Sequence, residues 1–202
     1  MATAFPLRLR LHYKAARAGG VRSHSMFIAH IPSGYVMSIS FLERVRHLRE
    51  ISSVVIAVGI TGSIAPDFDM FYFYLIDYRQ THHHKYVTHW PMLWVCLVAV
   101  SIIWARLSRY SKASCLSLVF AAGGVLHLIL DSFVGDIWWF APLGGKPYAM
   151  FTVPALFKPW WLNFFFHWSF AVELIICLWA LTLYRRRSCE DDGAVLENGI
   201  MK

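Results

Sequence analysis

The stretch ASCLSLVFAAGGVLHLILDSFV, residues 113–134, decides the class of this protein. Eighteen residues between Lys112 and Asp131 carry no formal charge. As a helix rising ~1.5 Å per residue, such a run covers most of the ~30 Å hydrocarbon core of a bilayer. Three further runs read the same way. Residues 51–66 are uncharged and continue, past Asp67 and Asp69, into the aromatic stretch Met70–Ile76. Twenty residues between Lys85 and Arg106 contain no Lys, Arg, Asp or Glu, and residues 159–184 hold Glu173 as their only formal charge. Transmembrane helices are therefore predicted at about 51–76, 90–107, 113–134 and 162–184. Tyr72, Tyr74, Trp90, Trp104, Trp138, Trp139, Trp160, Trp161 and Tyr184 crowd near their ends, as interfacial aromatics do.

The rest of the chain agrees. Its 202 residues are 57% hydrophobic and 15% charged, with a mean hydropathy of +0.48. That is too apolar for a disordered chain, and too apolar for a soluble domain of this size to bury. The expected fold is all-α, an integral membrane bundle of about four helices. The earlier stretch MFIAHIPSGYVMSISF, 26–41, is interrupted by Pro32 and Gly34 and predicts a short interfacial or re-entrant helix. Residues 1–25, with five basic residues and no acid, read as a disordered basic tail. Residues 26–187 form the membrane-embedded domain, and 188–202 a polar C-terminal tail.

The net charge of +7 sits at the two ends and in one short loop, which suits an anionic leaflet better than a nucleic acid. No direct nucleic-acid binding is expected. With both termini cytoplasmic, fifteen Lys and Arg lie inside and four outside; without residues 1–25 the count is ten to four. The positive-inside rule then puts loops 77–89 and 135–161 on the far side. Cys96, Cys115, Cys177 and Cys189 form no C-x-x-C, and three lie in apolar runs. They suggest neither a disulfide framework nor a zinc ribbon.

Ionisable groups at membrane depth mark functional sites by default. Asp67 and Asp69 stand in GSIAPDFDM (62–70), four histidines in THHHKYVTHW (81–90), and His127 and Asp131 in LHLILDSF (126–133). Each alone has an ordinary explanation. A helical His–Asp pair can be a buried hydrogen bond, a triple His can be a solvated loop, and D-x-D after Pro can be a helix start. Together they converge. His127 and Asp131, four apart, share a helix face in its outer half. Pro66 sets a break that can aim both aspartates at one centre, and the His loop follows on the same side. Carboxylate and imidazole ligands in a partly dry site suit a divalent cation, zinc or manganese.

P-D-F-D (66–69), H-K-Y-V-T-H (84–89) and H-L-I-L-D (127–131) resemble, in order, three motifs of the YdjM-type family: LexA-binding, inner-membrane-associated, metal-dependent hydrolases. The likeness covers roughly 26–184. It implies a bacterial inner-membrane protein with metal ligands Asp67, Asp69, His84, His89, His127 and Asp131, and His30 as a weaker addition. The sequence departs from the family pattern at Lys85 (for Arg), Tyr86 (for Gly), Trp90 (for Ser) and Val134 (for Thr). The last two remove hydroxyls that could orient ligands. A metal held by Asp and His with an open position suits hydrolysis of an ester or phosphoester by a metal-activated water, and the site's place near the outer interface points to a lipid or lipid-linked substrate. Two other classes fit the same residues. One is a non-catalytic metal-binding or ion-conducting protein in which Glu173 and His167 line a path with His127. The other is an anchored interaction protein whose cytoplasmic ends recruit a protein partner.

Overall fold

The computed structural model describes residues 28–200 apart from Arg79, Ala155 and Trp160, and is helical. The expected basic tail at 1–25 lies outside the described residues. Helix α1 runs His30–Arg44 and a 3-10 segment Arg46–Ile51 leads into α2, Ser52–Ile64. A 3-10 turn, Ala65–Phe68, joins α2 to the short α3, Asp69–Leu75. Two more 3-10 turns, His83–Lys85 and Val87–His89, precede α4, Pro91–Leu107. Helix α5 spans Lys112–Asp131, α6 Trp161–Phe165, and α7 Ser169–Ile200. Among the described residues there is no strand, only an antiparallel bridge between Ile137 and Tyr148.

The helix starts have local causes. Pro91 opens α4, where its missing N–H costs nothing and its fixed φ already suits a helix. Ser111 caps α5 by accepting the N–H of Ser114. The first predicted span is interrupted at 65–68, where Pro66 imposes the 3-10 turn. The stretch predicted as a short interfacial or re-entrant helix is a helix, α1, of fifteen residues and without a break. Pro32 falls at its third residue, where no intrahelical N–H bond is yet needed. The last predicted span, 162–184, divides at 166–168, so α7 begins only at Ser169 and then carries the polar C-terminal segment to Ile200.

Among the described residues two segments are long and apolar enough to cross a membrane, Arg46–Leu75 and Lys112–Asp131, where charge-free runs suggested four; Pro91–Leu107 is apolar but shorter. Helix α5 packs against both α2 and α4, and α1 packs on α2, α5 and α7. The crossings are built on small residues. Gly123 of α5 lies so close to α2 that an added Cβ would sit 2.7 Å from the Ser63 nitrogen and 2.8 Å from the Gly62 carbonyl carbon. Gly62 in turn faces the backbone of Phe120. Close backbone approach through glycine is how helices associate where lipid supplies no hydrophobic drive between them. The outer faces fit that solvent: Val95, Val100 and Ile103 on α4, and Ile175, Leu178 and Trp179 on α7, are exposed. At the far end of α5 two apolar clusters, one around Leu128, Trp94 and Ile137 and one around Leu130, Val134 and Phe164, flank a polar pocket.

Candidate metal centre

Every side chain of this pocket sits at the end of a helix or in a 3-10 turn. His30 is the first residue of α1. Asp67 lies in the Pro66 turn and Asp69 opens α3. His84 and His89 occupy the two turns of the histidine loop. His127 stands one turn before Asp131, the last residue of α5. His84, His89, His127 and Asp131 are fully buried.

Asp131 is the centre. Its Oδ2 lies 3.1 Å from His127 Nε2, 3.6 Å from His84 Nε2 and 3.8 Å from His89 Nε2. Its Oδ1 lies 3.2 Å from His30 Nε2, and the His30 ring stacks on His127 at 4.0 Å. Asp67 reaches in from the edge, its Oδ1 3.6 Å from His127 Nε2 and 3.8 Å from His89 Nε2, with its side chain 39% exposed. The pocket therefore opens on the Asp67 side.

The other ring nitrogens fix the chemistry. His127 Nδ1 lies 2.8 Å from the Ser63 carbonyl, His84 Nδ1 3.0 Å from the Asp136 carbonyl, and His89 Nδ1 2.6 Å from Asp69 Oδ2. Each of those partners can only accept, so each Nδ1 carries the proton. In the neutral ring Nε2 then presents a lone pair. Three such lone pairs point toward a carboxylate oxygen, and neither they nor the two Asp131 oxygens have a hydrogen-bond partner among the described residues. Burial favours the neutral ring in the loop: it holds His84 well below the usual imidazole range, lowers His83, and pushes His82 down to about 4.

With all three rings neutral the arrangement is repulsive unless a cation lies between the atoms, and a proton on one Nε2 would satisfy that ring alone. Asp131 also stands at the C-terminus of α5, the end that disfavours negative charge, and the described ion pairs give it no Lys or Arg. A buried carboxylate left so would be costly. The spacing suits a metal. Neighbouring ligand atoms around a tetrahedral ion with ~2.0–2.1 Å bonds sit ~3.3–3.4 Å apart. The observed distances of 3.1 to 3.8 Å bracket that edge. One set of potential ligands, Asp67, His89, His127 and Asp131, has all its ligand atoms within 4.8 Å of one another.

The structure thus brings His84, His89, His127, Asp131, Asp67 and His30 together. Asp69 stands behind His89: its Oδ2 accepts both the His89 Nδ1–H and the Thr88 hydroxyl, each at 2.6 Å. Sequence reasoning did not find the Ser63 and Asp136 carbonyls, which orient two of the rings, because a backbone carbonyl leaves no mark on residue type. Glu173 turns inward and is fully buried, its Oε2 accepting the N–H groups of Ile28 and Ala29 at the start of α1. His167 bonds Ser169. Ser132 donates to the Leu128 carbonyl and accepts from Trp139, the role of a structural hydroxyl.

Residues 26–189 match the family model described as YdjM inner membrane protein, and the chain belongs to that family. No curated protein and no solved structure matches it.

Proposed function

We propose that this YdjM-family membrane protein holds a divalent cation, zinc or manganese, between His84, His89, His127 and Asp131, and hydrolyses an ester or phosphoester. The observation that carries the reading is the convergence of three histidine Nε2 atoms on one buried carboxylate, with each Nδ1 already bound to an acceptor. Both inner rims are rigid: His127 and Asp131 share a helix turn, and the Nδ1 bonds fix the planes of the rings. When bound, such an ion lowers the pKa of a coordinated water and polarises a phosphoryl or acyl oxygen.

The chain's own residues supply the rest. Asp67, half-exposed at the opening, is placed to complete the ligand set or to take a proton from water entering there. Phe68 follows it directly and is exposed, as are Phe71 and Tyr72 on α3. That apolar rim favours a lipid or lipid-linked substrate presented from the bilayer. The basic asymmetry favours cytoplasmic termini, which puts the pocket at the outer face of the inner membrane and leaves the basic ends for a protein partner.

Metal analysis of the detergent-purified protein tests this. His127→Ala and Asp131→Ala should each lower occupancy while the protein still inserts, and should abolish release of product from ester and phosphoester substrates. His82→Ala should do much less. Equal occupancy in all four proteins would return His127 and Asp131 to a plain buried pair. Full occupancy without turnover would leave a metal-binding protein that is not a hydrolase.

A further inference from the structure

A second group of ligands lies beside the first and shares His84 and His89 with the ligand set proposed above. His83, His84 and His89 have ligand atoms within 4.8 Å of one another. Their rings are neighbours, with centroids 4.1 Å apart for His83 and His84, 4.8 Å for His84 and His89, and 5.6 Å for His83 and His89. His83 keeps 8% of its surface exposed where the other two keep none, so His83 links the buried rings to the surface.

His89 belongs to both groups. Its Nδ1 is committed to Asp69, and that of His84 to the Asp136 carbonyl, so each of these rings has only the single lone pair on Nε2 to offer either group. One nitrogen lone pair cannot serve two ions at once. The two groups are therefore alternative positions for one ion rather than a dinuclear centre.

Resting on the metal reading above, the geometry points to a two-station path: a divalent cation is first captured by His83, His84 and His89 and then passes, pivoting on His84 and His89, to His127 and Asp131, with Asp67 at the opening. The charges set the direction. The outer station consists of three neutral imidazoles, whereas the inner one adds two carboxylates, so a dication is held more tightly inside. The outer station can strip water from the ion without trapping it. His83 is then a loading residue, absent from the final ligand set.

The test uses the full-length protein in detergent, stripped by chelator and mixed with Co2+ alone. Uptake is followed by the visible absorption of the bound ion, and the endpoint by metal analysis. His83→Ala and His83→Gln should reach the wild-type endpoint about tenfold more slowly, the scale on which one lost supporting ligand weakens a site. A His127→Ala, Asp131→Ala double variant should keep a weakly held Co2+ with a nitrogen-rich spectrum, and adding His83→Ala should remove it. Wild-type loading rates in both His83 variants would overturn the path and put entry at Asp67. A double variant that binds no Co2+ would overturn the outer station. Failure of the wild type to take up Co2+ would overturn the metal reading itself, a result distinct from either.

Discussion

Asp69→Asn separates a ligand from a residue that holds one. The carboxylate Oδ2 receives two hydrogen bonds, from His89 Nδ1 and from the Thr88 hydroxyl, both at 2.6 Å, in a buried position. Asparagine preserves the shape and one accepting oxygen but removes the charge. A hydrogen bond to a charged group contributes about 1.5–3 kcal/mol and a neutral one about 0.5–1.5, so the imidazole bond loses roughly 1–1.5 kcal/mol. Because that bond sets the basicity and plane of His89, the loss should appear in metal affinity. It corresponds to about tenfold, the lower end of the 10–100-fold range typical when such partners are removed. Asp69→Ala should go further, stranding the ring N–H and the Thr88 hydroxyl at about 1–3 kcal/mol each. Chelator competition against Zn2+ gives the affinity, the Co2+ spectrum gives the ligand number, and thermal unfolding in detergent gives the stability. The expected Asp69→Asn protein binds one ion, about tenfold more weakly, with an unchanged ligand set. If Asp69→Asn empties the site as fully as Asp131→Asn does, Asp69 is itself a ligand and the reasoning fails.

Glu173→Ala should destabilise the protein by about 1–3 kcal/mol by leaving the N–H groups of Ile28 and Ala29 without their acceptor. Glu173→Gln, which can still accept, should recover most of it; equal melting of the two variants would show that charge, not acceptance, matters. Gly123→Ala should cost about 1–3 kcal/mol, because its Cβ meets backbone and no side chain can yield. A melting point matching wild type would mean that the two helices separate freely. Single cysteines at Tyr78 and Lys146, in a background lacking the native four, should react with an impermeant thiol reagent added outside intact cells. Labelling only after the cells are opened would reverse the topology.

Much of the site was legible because its signals are side chains in short motifs. The i, i+4 spacing of His127 and Asp131 fixes their shared face whatever surrounds them. The D-x-D motif could not say which carboxylate faces the pocket, since that depends on how the Pro66 turn hands the chain from α2 to α3. Pro32 and Gly34 did not hide the helix at 26–41, but composition could not say what they do in it. Both are breakers by composition, yet Pro32 falls in the first turn of α1, where it is harmless, and Gly34 packs against the Ser63 side chain at a helix crossing. A residue that signals a break along the chain can signal contact across it. The count of spans is the converse case. Charge-free runs gave four, but the break at 166–168 and the length of α4 leave two among the described residues that meet the length of a bilayer.

The packing of the helices and the chemistry of the pocket are not separable here. Gly123 lets α5 approach α2 closely enough that the Ser63 carbonyl, at the end of α2, meets His127 one turn further along α5. That carbonyl decides which nitrogen of His127 is protonated, and so whether Nε2 offers a lone pair to a cation or a proton to Asp131. A crossing widened by one methyl group would withdraw the acceptor and leave the ring free to turn. The opposite wall follows the same logic with different parts, since the Asp136 carbonyl that orients His84 lies next to the Ile137–Tyr148 bridge. In a pocket this dry, backbone carbonyls supply fixed acceptors without adding further buried charge, leaving the negative charge on Asp131 and Asp67 to meet the ion. The small residues of the helix crossings therefore belong to the candidate site as much as its ligands do.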